Sequence, residues 1–302
     1  MRSLKKLYSQ ADIGHITFTG GEPFLTQRYS ELVLYCRMRK SSVSFITNGT
    51  KAAKEDYLSL IELGVDRFQL PYHSWNPEVH GEMTGSSDAW YRVVESLALL
   101  QNLGHNPTVT VVITKLNTLD LRKTLESIKN LGITQIMLAR FNIGGRGIEN
   151  SKKLTPTKGE FKEAFAAAQS FAQNNPKISL QSNVCIPRCL IEPRDYPLLR
   201  MVTCDPEAKG KPLTMDFAGN IRSCNHSPQV LGSVFDSPLE RIVQSQGVKE
   251  WGDTKPEYCE DCSKWTECFG GCRAASQQMG LGLNHPDPIL NFFSAPGVRR
   301  AP

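Results

Sequence analysis

The sequence of 302 residues predicts an α/β protein built on a parallel sheet and followed by a cysteine-rich tail. Apolar runs typical of strands alternate with helical patterns at intervals of roughly 25 to 40 residues, which indicates βαβ units. Eight of the nine cysteines lie after residue 184, and the ninth, Cys36, lies in an apolar pattern that predicts a buried thiol. Together these observations predict one domain over residues 1–180 and a second over residues 181–302.

Five apolar runs predict the strands, and four amphipathic patterns between them predict helices. Three of the helical patterns end at Gly64, Gly104 and Gly132, and the next strand begins within a few residues of each glycine. The strand runs are nearly continuous in apolar residues, as expected where helices cover a sheet. The predicted strands are 15–20, 42–48, 67–73, 108–114 and 135–141, and the helical patterns are YSELVLYCRMRK, KEDYLSLIELG, AWYRVVESLALLQNLG and LRKTLESIKNLG.

Composition and charge exclude several classes of protein. Hydrophobic residues make up 40% of the chain and charged residues 22%, which excludes disordered and fibrous proteins. No apolar stretch reaches the roughly 18 residues that span a bilayer, and the first residues show no signal peptide. The net charge of +5 is mild and its basic residues are scattered, so we expect neither a membrane nor a nucleic-acid partner.

Polar loops follow the first two predicted strands. In Gly20-Gly21-Glu22-Pro23 the glycines allow close backbone approach or positive φ, and Glu22 suits a carboxylate held towards a cationic ligand group. Thr47-Asn48-Gly49-Thr50 follows the second strand. A turn with a helix-start proline and a helix cap are the structural alternatives. Because ligands bind at the carboxyl ends of parallel strands, the two loops together predict a ligand site.

The cysteines of the tail have the spacing of metal ligands. Upstream, Cys204 precedes LTMDFAGNIRSC, which predicts a β-hairpin that brings Cys224 back towards Cys204. An odd number of cysteines without an export signal disfavours disulfides and favours metal ligation, either in iron–sulfur clusters or by zinc. The remaining four follow the pattern C-x2-C-x5-C-x3-C: Cys259, Cys262, Cys268 and Cys272.

The motifs IGHITFTGGEP, ITNGT and VVITKLN, followed by the cysteine run, resemble the radical S-adenosylmethionine (SAM) enzymes that carry a SPASM domain. The resemblance covers nearly the whole chain. It implies a partial (β/α)6 barrel lacking its first strand over residues 1–180, and a SPASM domain over residues 181–302. It also implies SAM as a cofactor, with its methionyl amino group bound by the loop of Gly20, Gly21, Glu22 and Pro23, and with further contacts from Thr47, Asn48 and Asn117.

The resemblance further implies auxiliary [4Fe–4S] clusters in the tail. The counterparts of Cys204, Cys224 and Cys272 bind the first cluster, with Cys189 as the expected fourth ligand and Cys185 as the alternative. The counterparts of Cys259, Cys262 and Cys268 bind the second cluster.

Two departures from the family pattern concern the clusters. The family has a C-x3-C-x2-C loop before the G-G-E-P motif, and here no cysteine precedes Gly20. We therefore expect an N-terminally truncated chain that does not itself generate a 5′-deoxyadenosyl radical. Leu290 stands where the family often has a late cysteine. The second cluster is accordingly expected to be incomplete, unless Cys185 or a non-cysteine ligand such as Asp287 completes it.

The function that the resemblance implies is an oxidoreductase or maturase acting on a peptide or a small molecule by 5′-deoxyadenosyl radical chemistry. A flavodoxin- or ferredoxin-type electron donor and a cytoplasmic location are expected, and no catalytic residue is assigned. Asn225 stands where the sulfatase-maturing branch has a basic aspartate, which disfavours formylglycine formation because an amide cannot accept the proton. His73 and His226 are further candidates, with structural roles as the alternative. The other hypothesis is a non-catalytic iron–sulfur or zinc protein, or a partner subunit.

Overall fold

Six parallel strands form the central sheet of the computed structural model, which describes residues 1–205 and 212–292. The strands lie side by side in chain order, and every neighbouring pair is parallel. The predicted α/β class with a parallel sheet is therefore confirmed. The strands are β1 (His15–Phe18), β2 (Ser42–Ile46), β3 (Arg67–Pro71), β4 (Thr108–Ile113), β5 (Gln135–Arg140) and β6 (Ser179–Ser182).

The sequence predicted five of these strands and missed β6. Its residues, SLQS, contain one apolar side chain, Leu180, so they form no apolar run. The strand exists because it pairs in parallel with β5, from the Gln135–Ser179 pair to the Leu138–Ser182 pair. Long-range pairing, rather than local composition, decides its conformation.

Helices cover one face of the sheet, and the four predicted helical patterns are all helical in the structure. Gly64, Gly104 and Gly132 follow three of these helices with positive φ, as the sequence predicted. None of the helices in the described ranges is long and apolar enough to cross a membrane. The helices of this part are α1 (Arg2–Tyr8), α2 (Tyr29–Met38), α3 (Lys54–Glu62), α4 (Pro77–Thr84), α5 (Ala89–Asn102), α6 (Leu121–Asn130), α7 (Ser151–Leu154) and α8 (Lys158–Asn174).

The two faces of the sheet differ in polarity. Phe45 and Leu70 lie in the hydrophobic core beneath the helices. Successive strand residues point to opposite faces, so Ser44, Gln69 and Thr110 lie on the other face. There the Gln69 side-chain amide donates to the Thr110 hydroxyl at 2.8 Å. The prediction of nearly continuous apolar strands is wrong for this face, which offers hydrogen-bonding groups.

The predicted hairpin forms the start of a small antiparallel sheet in the tail. Its turn is organised by Asp216, whose Oδ1 accepts from the backbone N–H groups of Ala218 and Asn220, both at 3.0 Å. The tail strands are β7 (Thr214–Met215), β8 (Asn220–Arg222) and β9 (Gly232–Ser233), in the order β7-β8-β9, and its helices are α9 (Leu239–Val243), α10 (Gln246–Asp253), α11 (Trp265–Cys268) and α12 (Arg273–Gln278).

The tail packs closely against the rest of the chain. Ser3 of α1 donates its hydroxyl to the carbonyl of Phe217 at 2.7 Å. Leu190 and Ile289, both beyond the predicted boundary at residue 180, belong to the same hydrophobic core as the large sheet. The boundary itself stays a prediction, and its tail residues 206–211 and 293–302 lie outside the described ranges.

Two histidines stack between β3 and β4 on the helix side. The rings of His73 and His80 lie 5.4 Å apart with an interplanar angle of 25°. The backbone N–H of His73 donates to His80 Nδ1 at 3.1 Å, and that of Val112 donates to His73 Nδ1 at 3.3 Å. His73 is therefore engaged by the backbone, which corresponds to its structural alternative. Burial lowers the pKa of His80 to about 4.

We expect the stability of the chain to fall as the pH is lowered from 6.5 towards 4. His80 is fully buried, and its folded pKa of about 4 lies below its ordinary 6.5, so the unfolded state binds more protons in this window. The contribution is complete above pH 6.5 and is lost on acidification, at no more than about 1.4 kcal/mol per pH unit. Urea denaturation between pH 4 and 7 measures it.

The matched variants are His80→Gln, which keeps an acceptor for the His73 N–H, and His15→Gln at an exposed histidine. His80→Gln should flatten the pH dependence, whereas His15→Gln should leave it as in the unsubstituted chain. An unchanged slope in His80→Gln would contradict the assignment.

Candidate functional site

The two predicted strand-end loops meet at the carboxylate of Glu22. Its Oε1 accepts from the Thr47 hydroxyl at 2.7 Å and from the Phe24 N–H at 3.2 Å, and its Oε2 accepts from the Asn48 N–H at 2.7 Å. The first loop follows β1 and the second follows β2, which pairs with β1 in parallel. The carboxyl ends of neighbouring strands therefore place these residues together, as the sequence predicted.

Glu22 has acceptor capacity left for a cation. A carboxylate offers about four acceptor positions, and the three donors leave one of these on Oε2. The side chain is also partly exposed. These features fit a ligand ammonium group such as the methionyl amine of SAM.

The glycines before Glu22 keep the adjoining space open. Gly20 and Gly21 have φ of +87° and +47°, and a Cβ added to either would meet nothing within 4 Å. Glycine is therefore required for its backbone conformation and not because of crowding. Pro23 begins a short 3-10 helix that Glu22 caps, so the turn expected as the structural alternative is present in the same loop.

Thr47 and Asn48 act on this site mainly through Glu22. The Thr47 side chain is buried, and besides binding Glu22 it accepts from the Gly49 N–H at 3.1 Å. Asn48 contributes its backbone N–H, whereas its side chain accepts from the Thr50 N–H at 2.8 Å. The structure thus gives both residues a positioning role.

Asn117 differs from its expected role as a ligand contact. Its Nδ2 donates to the carbonyls of His73 and Val112 at 2.6 and 2.8 Å, and its Oδ1 accepts from the Thr114 N–H at 2.8 Å. The residue is 1% exposed. Both donor hydrogens are used by the backbone, so Asn117 holds the end of β4 and offers a ligand no accessible donor.

Four cysteines gather beside the carboxyl end of β5, and we call them the first thiol set. Three of them pack against Trp251 in one apolar cluster. A hydrogen bond with the thiol of Cys204, followed by burial and the nearby charge of Cys272, raises the pKa of Cys185. Asn142, just after β5, donates its side-chain amide to Cys272 Sγ at 3.3 Å. The set comprises Cys185, Cys204, Cys224 and Cys272.

The other four tail cysteines form a second thiol set, Cys189, Cys259, Cys262 and Cys268. Burial and then the nearby thiolates of Cys268 and Cys262 raise the pKa of Cys189 to about 11. Burial and then Cys268, Cys189 and Cys262 raise the pKa of Cys259 to about 11. Such crowding of thiols favours a cationic centre that would stabilise their thiolate forms.

This division corrects one expectation from the sequence. Cys189 was expected beside Cys204, with Cys185 as the alternative, but the structure places Cys185 there and Cys189 in the second thiol set. All nine cysteines are described, and none of them forms a disulfide. Cys36 is buried in the core of the large sheet, as predicted.

The spacing of the thiols bears on the kind of metal centre. Within the described ranges, no three histidine, cysteine, aspartate or glutamate side chains converge closely enough to hold one metal ion. A zinc ion needs four ligands at about 2.0–2.3 Å. A [4Fe–4S] cluster binds its cysteines at different irons, so they stand farther apart. The two thiol sets fit clusters better than single zinc ions.

A buried ion pair holds the first thiol set against β5. Arg140, the last residue of β5, pairs with Asp287, and both side chains are 0% exposed. Arg140 Nε also donates to the carbonyl of Cys185 at 2.8 Å. Asp287 Oδ2 accepts from the Cys272 N–H at 2.7 Å, and Oδ1 accepts from the Ile289 N–H at 3.1 Å. Burial raises the pKa of Asp287, and the neighbouring Arg140 opposes this shift.

The ion pair was not anticipated. The sequence offered Asp287 as a ligand of the second cluster, which is wrong because its carboxylate lies against Arg140 and Cys272 of the first set. Arg140 was missed altogether. The only signal for it in the sequence is a charged residue that closes the otherwise apolar run QIMLA.

Other residues around the first thiol set also come from distant segments. The loop that starts at Gly144, predicted to hold part of the cofactor, is anchored to the tail, because the Gly145 N–H donates to Gln278 Oε1 at 3.2 Å. Its role towards a cofactor stays a prediction. Burial, together with Arg140, lowers the pKa of His226, whose backbone N–H donates to Cys224 Sγ at 3.4 Å.

These features define a class: a parallel α/β protein with a ligand site at its strand ends, joined to a tail whose thiols suit metal clusters. Residues 1–148 match the Radical SAM superfamily, and this part of the chain is a radical SAM domain. The resemblance to radical SAM enzymes with a SPASM domain is therefore confirmed.

Individual relatives agree over most of the chain. A PqqA peptide cyclase of Granulibacter bethesdensis is 22% identical over 301 residues, which cover 97% of this chain and 78% of that protein. The structure of native anSMEcpe with bound AdoMet and Kp18Cys peptide has a TM-score of 0.66 at 16% identity, covering 90% of this chain and 80% of the other. Streptococcus suis SuiB bound to S-adenosylmethionine has a TM-score of 0.72 at 14% identity, covering 95% and 69%.

We expect Asp287→Asn to destabilise the chain by about 3–5 kcal/mol, because it leaves the Arg140 charge buried without a counter-charge. Urea denaturation of the metal-free chain under reducing conditions measures the change. The control is Asp120→Asn, which breaks an exposed ion pair with Lys123 and should cost less than about 1 kcal/mol.

A second variant separates charge from packing. Arg140→Met combined with Asp287→Leu removes both charges and should recover part of the loss seen in Asp287→Asn. Equal costs for Asp287→Asn and Asp120→Asn would show that the buried pair has no special role.

Proposed function

We propose that this chain belongs to a radical SAM maturase that modifies a peptide, with SAM bound at Glu22 and auxiliary [4Fe–4S] clusters bound in the tail. In this superfamily SAM supplies the 5′-deoxyadenosyl radical that removes a hydrogen atom from the substrate. The contribution of the protein is to bind and orient the reactants and to exclude water.

The convergence of Thr47 and Asn48 on the Glu22 carboxylate carries the proposal. The Thr47 hydroxyl and the Asn48 N–H fix the carboxylate at the strand ends. The remaining acceptor position of Glu22 would receive the methionyl ammonium of SAM. The open space over Gly20 and Gly21 would take the methionyl backbone.

A peptide is the favoured class of substrate. The relatives include a protein named PqqA peptide cyclase and a structure with a bound Kp18Cys peptide. In this chain the polar sheet face of Ser44, Gln69 and Thr110 would supply hydrogen bonds to a peptide backbone. Asn225, which contacts Cys224 at 3.5 Å, is an amide and cannot serve as a general base, so formylglycine formation is disfavoured.

The tail would hold clusters that exchange electrons with the product radical and with an external donor. A small flavodoxin or ferredoxin is the class of donor we propose. The cytoplasm is the proposed location, because its reducing environment keeps thiolates available to iron.

We expect Glu22→Gln to weaken SAM binding at least tenfold. The change removes the negative charge opposite the ammonium group and sets an amide against the donors that Glu22 now accepts. The loss of a hydrogen bond to a charged group corresponds to about 1.5–3 kcal/mol. Titration calorimetry with SAM on the anaerobically reconstituted chain measures the affinity.

The control for this titration is Glu31→Gln, which breaks an exposed pair with Arg28 and should leave the affinity unchanged. Circular dichroism checks that both variants are folded. If the unsubstituted chain binds iron but no SAM, the result would support the alternative of a non-catalytic iron–sulfur protein. Equal affinities of Glu22→Gln and the unsubstituted chain would rule out the proposed role of Glu22.

A further inference from the structure

We propose that Cys189 completes a four-thiolate [4Fe–4S] site with Cys259, Cys262 and Cys268, while Cys185 completes the first site with Cys204, Cys224 and Cys272. This inference rests on the proposed function, in which the tail binds auxiliary clusters. It replaces the incomplete second site that the sequence suggested with two full sites.

The segment from residue 185 to 192 runs between the two thiol sets. At its start, the carbonyl of Cys185 accepts from Arg140 Nε at 2.8 Å, which holds this residue beside the end of β5. Three residues later, the backbone N–H of Arg188 donates to Cys268 Sγ at 3.4 Å. The chain therefore leaves the first thiol set and reaches the second before Cys189.

Ion pairs lock this segment onto the C-x2-C-x5-C run. The guanidinium of Arg188 pairs with the carboxylate of Glu267, and its Nε donates to the Glu267 carbonyl at 3.3 Å. Lys264 pairs with Glu192. Because Arg188 precedes Cys189 and Glu267 precedes Cys268, the first pair sets these two cysteines side by side. The mutual effects of the four thiols on their pKa values agree with this placement.

The turn after Cys268 explains why Cys272 belongs to the other set. Phe269, Gly270 and Gly271 all have positive φ, at +53°, +76° and +83°. This run of left-handed residues reverses the chain, and Asp287 then fixes the Cys272 N–H at 2.7 Å. The C-x2-C-x5-C-x3-C run therefore divides into three thiols for one site and one thiol for the other.

The second site needs no cysteine near residue 290. Asp287 is committed to Arg140, and Ile289 is buried in the hydrophobic core. With four protein thiolates, each iron of the cluster is saturated and none is open to substrate. Cys189 and Cys262 are both exposed. We therefore assign this site to electron transfer near the surface.

The test uses two backgrounds that each retain one thiol set. Cys204→Ser/Cys224→Ser removes the first site, and Cys259→Ser/Cys262→Ser removes the second. Cys189→Ser and Cys185→Ser are introduced separately into each background and into the unsubstituted chain, with Cys36→Ser as the control outside both sets. Anaerobic reconstitution is followed by iron and sulfide analysis and by electron paramagnetic resonance after reduction and after mild oxidation.

The unsubstituted chain and Cys36→Ser should hold about eight irons and each background about four. Where the first set is removed, Cys189→Ser should release one iron on mild oxidation and give the signal of a [3Fe–4S] cluster, while Cys185→Ser should leave the spectrum unchanged. Where the second set is removed, the two variants should exchange these results.

Contrary outcomes separate this inference from the proposed function. If the unsubstituted chain holds two clusters and the two variants behave in the opposite way, or neither has an effect in either background, the ligand assignment is overturned alone. If the unsubstituted chain takes up no iron, the cluster-binding part of the proposed function fails together with the assignment.

Discussion

The arrangement of the tail on the barrel depends on the buried ion pair between Arg140 and Asp287. Burying two charges is favourable only when they are paired and their remaining hydrogen-bonding positions are filled. Here the backbone fills them: Arg140 donates to the carbonyls of Cys185 and Phe141, and Asp287 accepts from the N–H of Cys272. Because none of these contacts can be given up cheaply, they fix where the first thiol set lies relative to β5.

The same constraint relates the two candidate sites to each other. Glu22 follows β1 and Arg140 ends β5, and all strands of the sheet are parallel, so both lie at the carboxyl ends of the strands. Ligands of parallel α/β proteins bind at this edge. The SAM loop and the first thiol set therefore lie at the same edge of the sheet, which would bring a proposed cluster towards the proposed substrate.

Much of the fold was predictable because local patterns carried it. The helices α2, α3, α5 and α6 follow from amphipathic periodicity and their terminal glycines, and five strands follow from apolar runs. β6 was missed because SLQS becomes a strand only by pairing with β5. The polar sheet face was missed because Ser44, Gln69 and Thr110 were absorbed into runs that were judged apolar as a whole.

The sequence by itself determined that Glu22, Thr47 and Asn48 lie together, since consecutive parallel strands must bring their ends to one edge. Only the tertiary structure decided between Cys185 and Cys189, and only it turned Asn117 from a ligand contact into a brace for the backbone. Spacing along a chain limits how far a thiol can reach but not the side to which it turns. That side is set by contacts between residues far apart in sequence, such as Arg188 with Glu267 and Arg140 with Asp287.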